Sequence, residues 1–345
     1  MKKIKALLRR FRIMLGKFLL DKRKKPFPVT ELPSIKRILF LRQDGKIGDY
    51  IVSSFVFREL KKASPDIEIG VVCSDSTLFE KNRHIDHIYR VKKKNILDYI
   101  KTGLKLRKEQ YNVLIDPTVF LRNRDLLLLR LIDADLNMGY QKQDYNIFNV
   151  SIDRDDLHFS EIYQQLLVSL GFLDIDTIYD MPSSEESVLD VDAFLSKNEI
   201  QDYIAVNFFG AAHVRRFTPD NIKILLDILR TKNKTKKIVL LTYPEVTPIL
   251  KKFESTKNNI FIYENTKNIF QTIELIRHAD LVISPDTAII HIASGFNKKI
   301  IGFYQNNALG LANWAPRSVQ AVHILFYQHN INEINPKDIQ VEWLV

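Results

Sequence analysis

The stretch that decides the fold runs from Lys36 to Val52 and reads Lys-Arg-Ile-Leu-Phe-Leu-Arg-Gln-Asp-Gly-Lys-Ile-Gly-Asp-Tyr-Ile-Val. Its first seven residues form a short apolar run bounded by basic residues, which is typical of a buried strand. A turn with two glycines follows, and apolar residues then recur at helical spacing from about Asp49 until Ser64-Pro65-Asp66 ends the pattern. A second apolar run over residues 67–73 completes a strand–helix–strand unit.

The same alternation continues along the chain. Further strands are expected at residues 87–91, 112–115, 203–208, 237–241, 260–262, 281–283 and 299–303. Further helices are expected at residues 95–108, 121–132, 160–170, 219–230, 245–254, 269–278 and 287–294. Short apolar strands that alternate with helices indicate an α/β fold with parallel sheets covered on both faces. Because a mixed segment at 174–200 divides the series, we expect two Rossmann-like domains, residues 34–180 and 181–345, facing a central cleft.

The charge of the chain is concentrated at its N-terminus. The chain has 345 residues and a net charge of +10, and residues 1–30 hold eleven Lys or Arg and one acidic residue. The other residues hold 40 basic and 40 acidic side chains, so the body is neutral and a nucleic-acid-binding face is not expected. The single cysteine, Cys73, excludes a disulfide framework and fits a reducing compartment.

The sequence predicts that residues 1–33 form a basic amphipathic helix, over about residues 2–25, and a linker punctuated by Pro26, Pro28 and Pro33. The apolar residues at helical spacing are Ile4, Leu7, Leu8, Phe11, Leu15, Phe18 and Leu19. The apolar run is too short for a membrane span, and charges interrupt every possible signal-peptide core. Two interpretations remain open. The helix lies on an anionic cytoplasmic membrane surface, or it packs its apolar stripe on the body of the protein.

Ligands of open parallel sheets bind at the carboxyl ends of the strands, and four loops of this sequence qualify. The first, Arg42–Asp49, matches neither the dinucleotide fingerprint GxGxxG nor the phosphate-binding pattern GxxxxGK[ST]. Asp49 in this loop is either a helix-capping residue or a general base, and Asp44 is a second candidate for the base.

The second loop, Gly210–Pro219, carries Arg215 and Arg216, which either meet a phosphate or are solvated on the surface. The third loop ends at Glu245, which either binds a sugar hydroxyl or is the first-turn acid of the next helix.

The fourth loop runs from Ser284 to His291. Ser284 and Pro285 are expected as the N-cap and first residue of a helix whose free N–H groups form an anion site. Thr287 and His291 share a helix face, and His291 is either structural or a hydrogen-bond donor to the ligand. The sequence contains no HExxH zinc motif and no GxSxG nucleophile motif.

Three of these segments resemble glycosyltransferase family 9, the lipopolysaccharide heptosyltransferases. Ile38-Leu-Phe-Leu-Arg-Gln-Asp-Gly-Lys-Ile-Gly-Asp-Tyr-Ile-Val52 is similar to the opening of that family. Leu281-Val-Ile-Ser-Pro-Asp-Thr-Ala-Ile-Ile-His-Ile-Ala293, followed by Lys299-Ile-Ile-Gly-Phe-Tyr304, looks like the family's late Asp-Thr-Gly-x-x-His helix and its next strand. Arg215-Arg-Phe-Thr218 resembles a basic Lys-Arg-Trp-Pro segment. The resemblance spans about residues 36–305.

The resemblance implies a GT-B fold and an inverting, metal-independent transfer of heptose from ADP-heptose to the core of a lipid-anchored glycan. No cofactor is implied. Asp49 would be the general base, and Arg215 would neutralise the leaving diphosphate. The residues implied or expected to bind substrate are Asp44, Lys46, Gly48, Arg216, Glu245, Asp286, Thr287, Ala288 and His291. The enzyme would work in the cytoplasm, peripherally on the inner face of the cytoplasmic membrane.

The sequence departs from the family pattern at two places that bear on the donor. Ala288 stands where the family usually has glycine, and Phe217-Thr218 replaces Trp-Pro. Two alternatives therefore stand beside the heptosyltransferase. One is a related GT-B enzyme that uses a UDP- or GDP-sugar. The other is a non-catalytic protein that binds sugar nucleotides and is tethered to the membrane.

Overall fold

The computed structural model describes residues 2–23 and 35–345, with side chains from Phe11 onward, so the predicted proline linker lies outside the described residues. The helices of the described part are α1 (Lys2–Leu20), α2 (Ile47–Ala63), α3 (Ile96–Lys108), α4 (Asn123–Ile132), α5 (Phe159–Ser169), α6 (Glu185–Lys197), α7 (Pro219–Lys232), α8 (Thr247–Leu250), α9 (Ile269–His278), α10 (Ala288–Gly295) and α11 (Ala308–Trp314). Its strands are β1 (Arg37–Arg42), β2 (Glu68–Cys73), β3 (His87–Arg90), β4 (Val113–Asp116), β5 (Leu136–Tyr140), β6 (Val150–Ile152), β7 (Tyr203–Val206), β8 (Lys237–Leu240), β9 (Ile260–Ile262), β10 (Leu281–Pro285), β11 (Lys299–Gln305) and β12 (Val322–Tyr327).

The chain folds into two compact units. The first comprises Met1–Lys46 and Phe55–Thr177, and the second comprises Ile47–Ser54 and Ile178–Val345, so the first half of α2 groups with the second unit. The described residues of each unit hold one six-stranded sheet, in the orders β3-β2-β1-β4-β5-β6 and β12-β11-β10-β7-β8-β9. All neighbouring strands are parallel.

Both sheets have the same doubly wound topology. In each sheet, the first strand of the unit (β1 or β7) lies in the middle. The next two strands extend the sheet to one edge, and the last three extend it from the middle to the other edge. The order therefore reverses between β1 and β4 in the first sheet, and between β7 and β10 in the second. Helices that leave the two strands at such a point diverge to opposite faces of the sheet and open a crevice at its carboxyl edge.

The core of the second unit holds the crevice in place. The strand residues that build it are fully buried and aliphatic or aromatic, among them Ile204, Val206, Ile283 and Phe303. Burial on both faces explains why these strands are continuous apolar runs and not alternating ones. The loops that follow β7 and β10 are therefore attached to strands whose side chains are close-packed in the core.

Every predicted strand is present, and the helix predicted at 269–278 matches α9. The helix predicted at 245–254 is wrong, because the chain there forms only the four-residue α8 and a separate turn of 3-10 helix at Lys251–Phe253. The mixed segment at 174–200 contains α6, which the sequence did not predict. This helix buries Ser187, Val191 and Leu195 on one face and carries acidic residues elsewhere.

Helix α1 has two distinct faces in its described portion. The inner face packs on α4 through Gly16, where a Cβ atom would lie only 2.2 Å from the Asn123 side chain. Asn123 donates a hydrogen bond to the carbonyl of Arg12 at 2.8 Å, and Asp21 accepts one from the Ile147 amide at 2.8 Å. The helix is therefore fastened to the first unit at several points along its length.

The outer face of α1 is apolar and exposed. Its side chains are Phe11, Met14, Leu15, Phe18 and Leu19, of which Phe18 is 84% exposed. Four of these five belong to the apolar stripe predicted from the sequence, so the described part of that stripe does not pack on the body. Within residues 2–23 and 35–345, none of the helices combines the length and the hydropathy of a membrane span.

Candidate active site

The start of α10 lies at the carboxyl edge of the second sheet and differs from the sequence prediction. Ser284 and Pro285 are not the N-cap and first residue of the helix, because both continue strand β10, where Pro285 pairs with Phe303. The next amide, of Asp286, donates to the Phe303 carbonyl, so the ring nitrogen of Pro285 faces the β7 side, where β7 has already ended. A proline without an N–H group is tolerated at such a position.

Thr287 is the residue that caps α10. Its backbone is extended, and its hydroxyl accepts a hydrogen bond from the Ile289 amide at 3.3 Å. The Ala288 amide and the positive end of the helix dipole lie directly behind this residue, and together they favour an anion. The predicted helix start is therefore present, but its N-cap is three residues later than expected.

His291 lies one turn further along α10 and is 3% exposed. Burial lowers its pKa from 6.5 to about 4, so the imidazole is neutral at neutral pH. Its Nδ1 atom is buried and has no hydrogen-bond partner among the described residues, and its ring packs against Trp314 at 5.4 Å between centroids. A neutral imidazole with an unpaired ring nitrogen can exchange a hydrogen bond with a ligand.

Gly48 brings the start of α2 close to this site within the second unit. A Cβ atom at Gly48 would lie 3.2 Å from Cδ2 of His291 and 3.6 Å from Cα of Ala288. Only a residue without a side chain packs this closely without displacing its neighbours. Asp49 follows Gly48 and is the third residue of α2, whose N-cap is Lys46. The interpretation of Asp49 as a capping residue is therefore wrong, and it is an acid of the first turn.

The loop that carries the two arginines is tightly tied to the sheet. Phe209 and Arg216 form an antiparallel bridge, and the Gly210 amide donates to the Arg215 carbonyl at 2.8 Å. Phe217 is buried and packs edge-on against Phe208 and Phe303. The buried Phe217 ring therefore anchors the end of this loop in the core of the second unit.

Arg215 binds Asp286 with two hydrogen-bonding groups. One guanidinium nitrogen lies 3.0 Å from the Asp286 carboxylate, and the other donates to the Asp286 carbonyl at 2.7 Å. Burial raises the pKa of Asp286, and the Arg215 charge opposes that rise. Arg215 is 37% exposed, whereas Asp286 is 16% exposed, so the pair presents its cation outward at the start of α10. A planar cation held in this way is suited to a phosphate.

The remaining predicted residues lie around or outside this group. Arg216 stacks on Phe209 and donates to the Tyr243 hydroxyl at 3.3 Å. Glu245 is exposed in a turn and does not begin a helix, so its interpretation as a first-turn acid is wrong. Asp44 and Lys46 belong to the first unit. Asp44 lies 3.7 Å from the guanidinium of Arg42.

The second unit therefore brings six of the predicted residues together. They are Gly48, Arg215, Asp286, Thr287, Ala288 and His291. Within the described ranges, 2–23 and 35–345, no three His, Cys, Asp or Glu side chains are placed to share a metal ion.

A sequence model of the family described as "Glycosyltransferase family 9 (heptosyltransferase)" matches residues 101–338, which is more than half of the chain. The chain belongs to glycosyltransferase family 9. The match includes the arginine loop and the start of α10, whereas the segment around Asp49 precedes it.

This family 9 glycosyltransferase is similar to proteins of Escherichia coli. It is 23% identical over 324 residues to the K12 protein named "Putative lipopolysaccharide heptosyltransferase 4", covering 90% of this chain and 87% of that one. The structure of E. coli ADP-heptose LPS heptosyltransferase II aligns with a TM-score of 0.69 at 15% identity, covering 89% and 97% of the two chains. That of E. coli heptosyltransferase WaaC with ADP aligns with a TM-score of 0.63 at 12% identity, covering 87% and 94%. The expected GT-B fold is confirmed.

Two residues that contact this group were missed from the sequence. Asn207 follows β7 and bonds to Ser284 and Thr287, but the expected strand ran to Phe208 and so included it. One feature of the sequence could have indicated Asn207, because it is a polar residue within an apolar run, at the carboxyl end of a strand. Trp314 packs on His291 from α11, a short helix that the sequence analysis did not predict.

The burial of His291 predicts a pH dependence of stability. The unfolded histidine takes up a proton below pH 6.5, whereas the folded one stays neutral to about pH 4, so acid favours the unfolded chain. Between pH 7.5 and pH 5 the wild type should lose about 2 kcal/mol more unfolding free energy than His291→Gln. Urea unfolding followed by tryptophan fluorescence measures this directly, because both tryptophans, Trp314 and Trp343, belong to the second unit. Equal pH dependence in the two proteins would show that His291 is not buried as a neutral group.

Proposed function

We propose that this glycosyltransferase transfers a heptose from ADP-heptose to the inner core of a lipopolysaccharide or lipooligosaccharide acceptor, with inversion and without a metal ion. The observation that carries the proposal is the convergence of a capped helix start, the Arg215 guanidinium and the neutral imidazole of His291 at one carboxyl edge. The E. coli relative crystallised with ADP supports an adenine nucleotide as the donor.

The donor diphosphate would bind at the start of α10. Its negative charge would be met by the Ala288 amide at the helix start, by the positive end of the helix dipole and by Arg215. His291 would add one hydrogen bond without adding charge, because its low pKa keeps it neutral. Asp286, held by Arg215, would accept hydrogen bonds from hydroxyls of the donor sugar. Arg216 is a second cation beside the site, and Glu245 would bind the nucleoside.

Transfer would proceed in a single displacement. The acceptor hydroxyl oxygen attacks the anomeric carbon of the heptose as the bond from that carbon to the diphosphate oxygen breaks. Asp49 takes the hydroxyl proton, and ADP leaves with its added charge neutralised by Arg215 and the helix start. The close packing of Gly48 on His291 and Ala288 supports this role, because it places the first turn of α2 beside the proposed diphosphate site.

The acceptor in this proposal is anchored in a membrane, and α1 provides a means of reaching it. The outer face of α1 exposes Phe11, Met14, Leu15, Phe18 and Leu19, and the first 30 residues carry the whole net charge of the chain. Exposed apolar side chains in a strongly basic segment bind the boundary of an anionic bilayer. We therefore place the enzyme in the cytoplasm, on the inner face of the cytoplasmic membrane.

The role of Asp49 can be tested by transfer of heptose from ADP-heptose to heptose-deficient lipopolysaccharide. Asp49→Asn should lower the transfer rate by about 10²–10⁴-fold, because the acceptor proton then has no base, while the affinity for ADP stays unchanged. Asp44→Asn is the matched comparison. Near-normal transfer by Asp49→Asn, or a comparable loss in Asp44→Asn instead, would refute the assignment. Absence of transfer by the wild type, with transfer from a UDP- or GDP-sugar, would refute the donor.

The membrane role of α1 can be tested by flotation with liposomes. The double variant Phe11→Ser/Phe18→Ser should float much less with anionic vesicles than the wild type, because it loses two exposed aromatic side chains from the outer face. Leu189→Ser is the control, since it removes a 71% exposed apolar side chain from the second unit. Equal flotation of the wild type and the double variant would show that this face does not bind the membrane.

A further inference from the structure

Asn207 joins the two strands between which the order of the second sheet reverses. It is 5% exposed and follows directly after β7. Its side-chain amide donates to the Ser284 hydroxyl at 3.0 Å and to the Thr287 hydroxyl at 3.3 Å. Its side-chain carbonyl accepts a hydrogen bond from the Phe209 amide at 3.1 Å. The orientation of the amide is fixed, because a backbone N–H group can only face the oxygen.

These bonds determine the direction of the hydrogen on Thr287. The Thr287 hydroxyl oxygen accepts one hydrogen bond from the Asn207 amide and a second, at 3.3 Å, from the Ile289 amide. These two bonds use both lone pairs of the hydroxyl oxygen. The Ser284 hydroxyl already donates to the Pro285 carbonyl at 2.8 Å. The Thr287 hydrogen can therefore point only to the Ser284 oxygen, 3.2 Å away, or outward from the sheet edge.

We propose that Asn207 is a positioning residue that keeps the Thr287 hydroxyl available as a hydrogen-bond donor to the diphosphate of the nucleotide. The inference rests on the proposed function, since it takes a nucleoside diphosphate as the ligand of the α10 start. Asparagine suits this role because it donates two hydrogen bonds, accepts one and carries no charge at an anion site.

The same side chain also supports the arginine loop. The Phe209 amide that Asn207 holds belongs to the residue that bridges to Arg216. A Cβ atom at Gly210 would lie 2.7 Å from the Arg215 Cβ and 3.3 Å from the Thr287 methyl, so the loop and the cap of α10 touch there. Asn207 thus fixes the cap of α10 and the base of the arginine loop with one amide.

The sharpest test replaces the amide by a carboxylate of the same shape. In Asn207→Asp the ionised side chain cannot donate, and it draws the Thr287 hydrogen toward itself and repels the diphosphate. The dissociation constant for ADP at pH 8 should rise about 30–100-fold, against about 3–10-fold for Asn207→Ala, which only removes the contacts.

Two comparisons separate this role from a general loss of structure. Asn137→Asp is the matched control, since Asn137 is fully buried in the first unit and donates to the Ile147 carbonyl at 2.8 Å. It should lower the melting temperature and leave ADP affinity unchanged. In a Thr287→Val background, Asn207→Ala should raise the dissociation constant for ADP by less than about twofold, because the hydroxyl that Asn207 orients is already absent.

Each result decides for or against the inference. Equal ADP affinities for Asn207→Asp and Asn207→Ala at pH 8, or an undiminished effect of Asn207→Ala in the Thr287→Val background, would overturn it. If the wild type binds UDP or GDP and not ADP, the proposed donor fails, and the same variants are measured with that diphosphate. If the wild type binds none of the three, both the proposed function and the role of Asn207 are refuted.

Discussion

Strands β7 and β10 are parallel neighbours in the second sheet. The chain leaves β7 toward β8 and β9 on one side of the sheet, and it leaves β10 toward β11 and β12 on the other side. The backbone at this point has no further strand with which to pair, so its polar groups need other partners. Asn207 bonds to Ser284 and Thr287 across the gap, and Thr287 caps α10. The positions of the helix start, the arginine loop and His291 all depend on how this one edge of the sheet is closed.

The electrostatic properties of the site follow from the same arrangement. The contacts with Asp286 fix the direction of the Arg215 guanidinium. The Asp286 carboxylate compensates the positive charge only in part, because burial raises the pKa of this carboxyl group. His291 is buried deeply enough to remain neutral, which makes it a source of hydrogen bonds and not of charge. A site with fixed donors and a moderate positive charge stabilises charge that develops on a leaving diphosphate and needs little rearrangement to do so.

Much of the fold could be predicted because its strands are buried on both faces and therefore appear as short apolar runs. Two of the strands that escaped prediction lack this signal, since β5 contains Asn137 and β6 has only three, partly buried residues. The third, β12, does contain an apolar run, and it was overlooked although only its edge position makes it partly buried. The sequence also indicated four of the residues that the second unit brings together, namely Arg215, Asp286, Thr287 and His291. The exact start of α10 was not predictable from the sequence, because Ser284 and Pro285 on their own suit a helix start. Strand β10 continues through both residues because β7 has already ended beside them. Asn207 was missed because its role depends on a neighbouring strand that follows about 75 residues later in the chain.

The most direct test of this view of the site is a calorimetric comparison of ADP, AMP and UDP binding to the full chain. If the capped start of α10 and Arg215 hold the diphosphate of an adenine nucleotide, ADP should bind at least about tenfold more tightly than AMP, because AMP lacks the second phosphate, and more tightly than UDP. Equal affinities for ADP and AMP, or no measurable binding of ADP, would contradict the assignment of the β7–β10 edge as the diphosphate site.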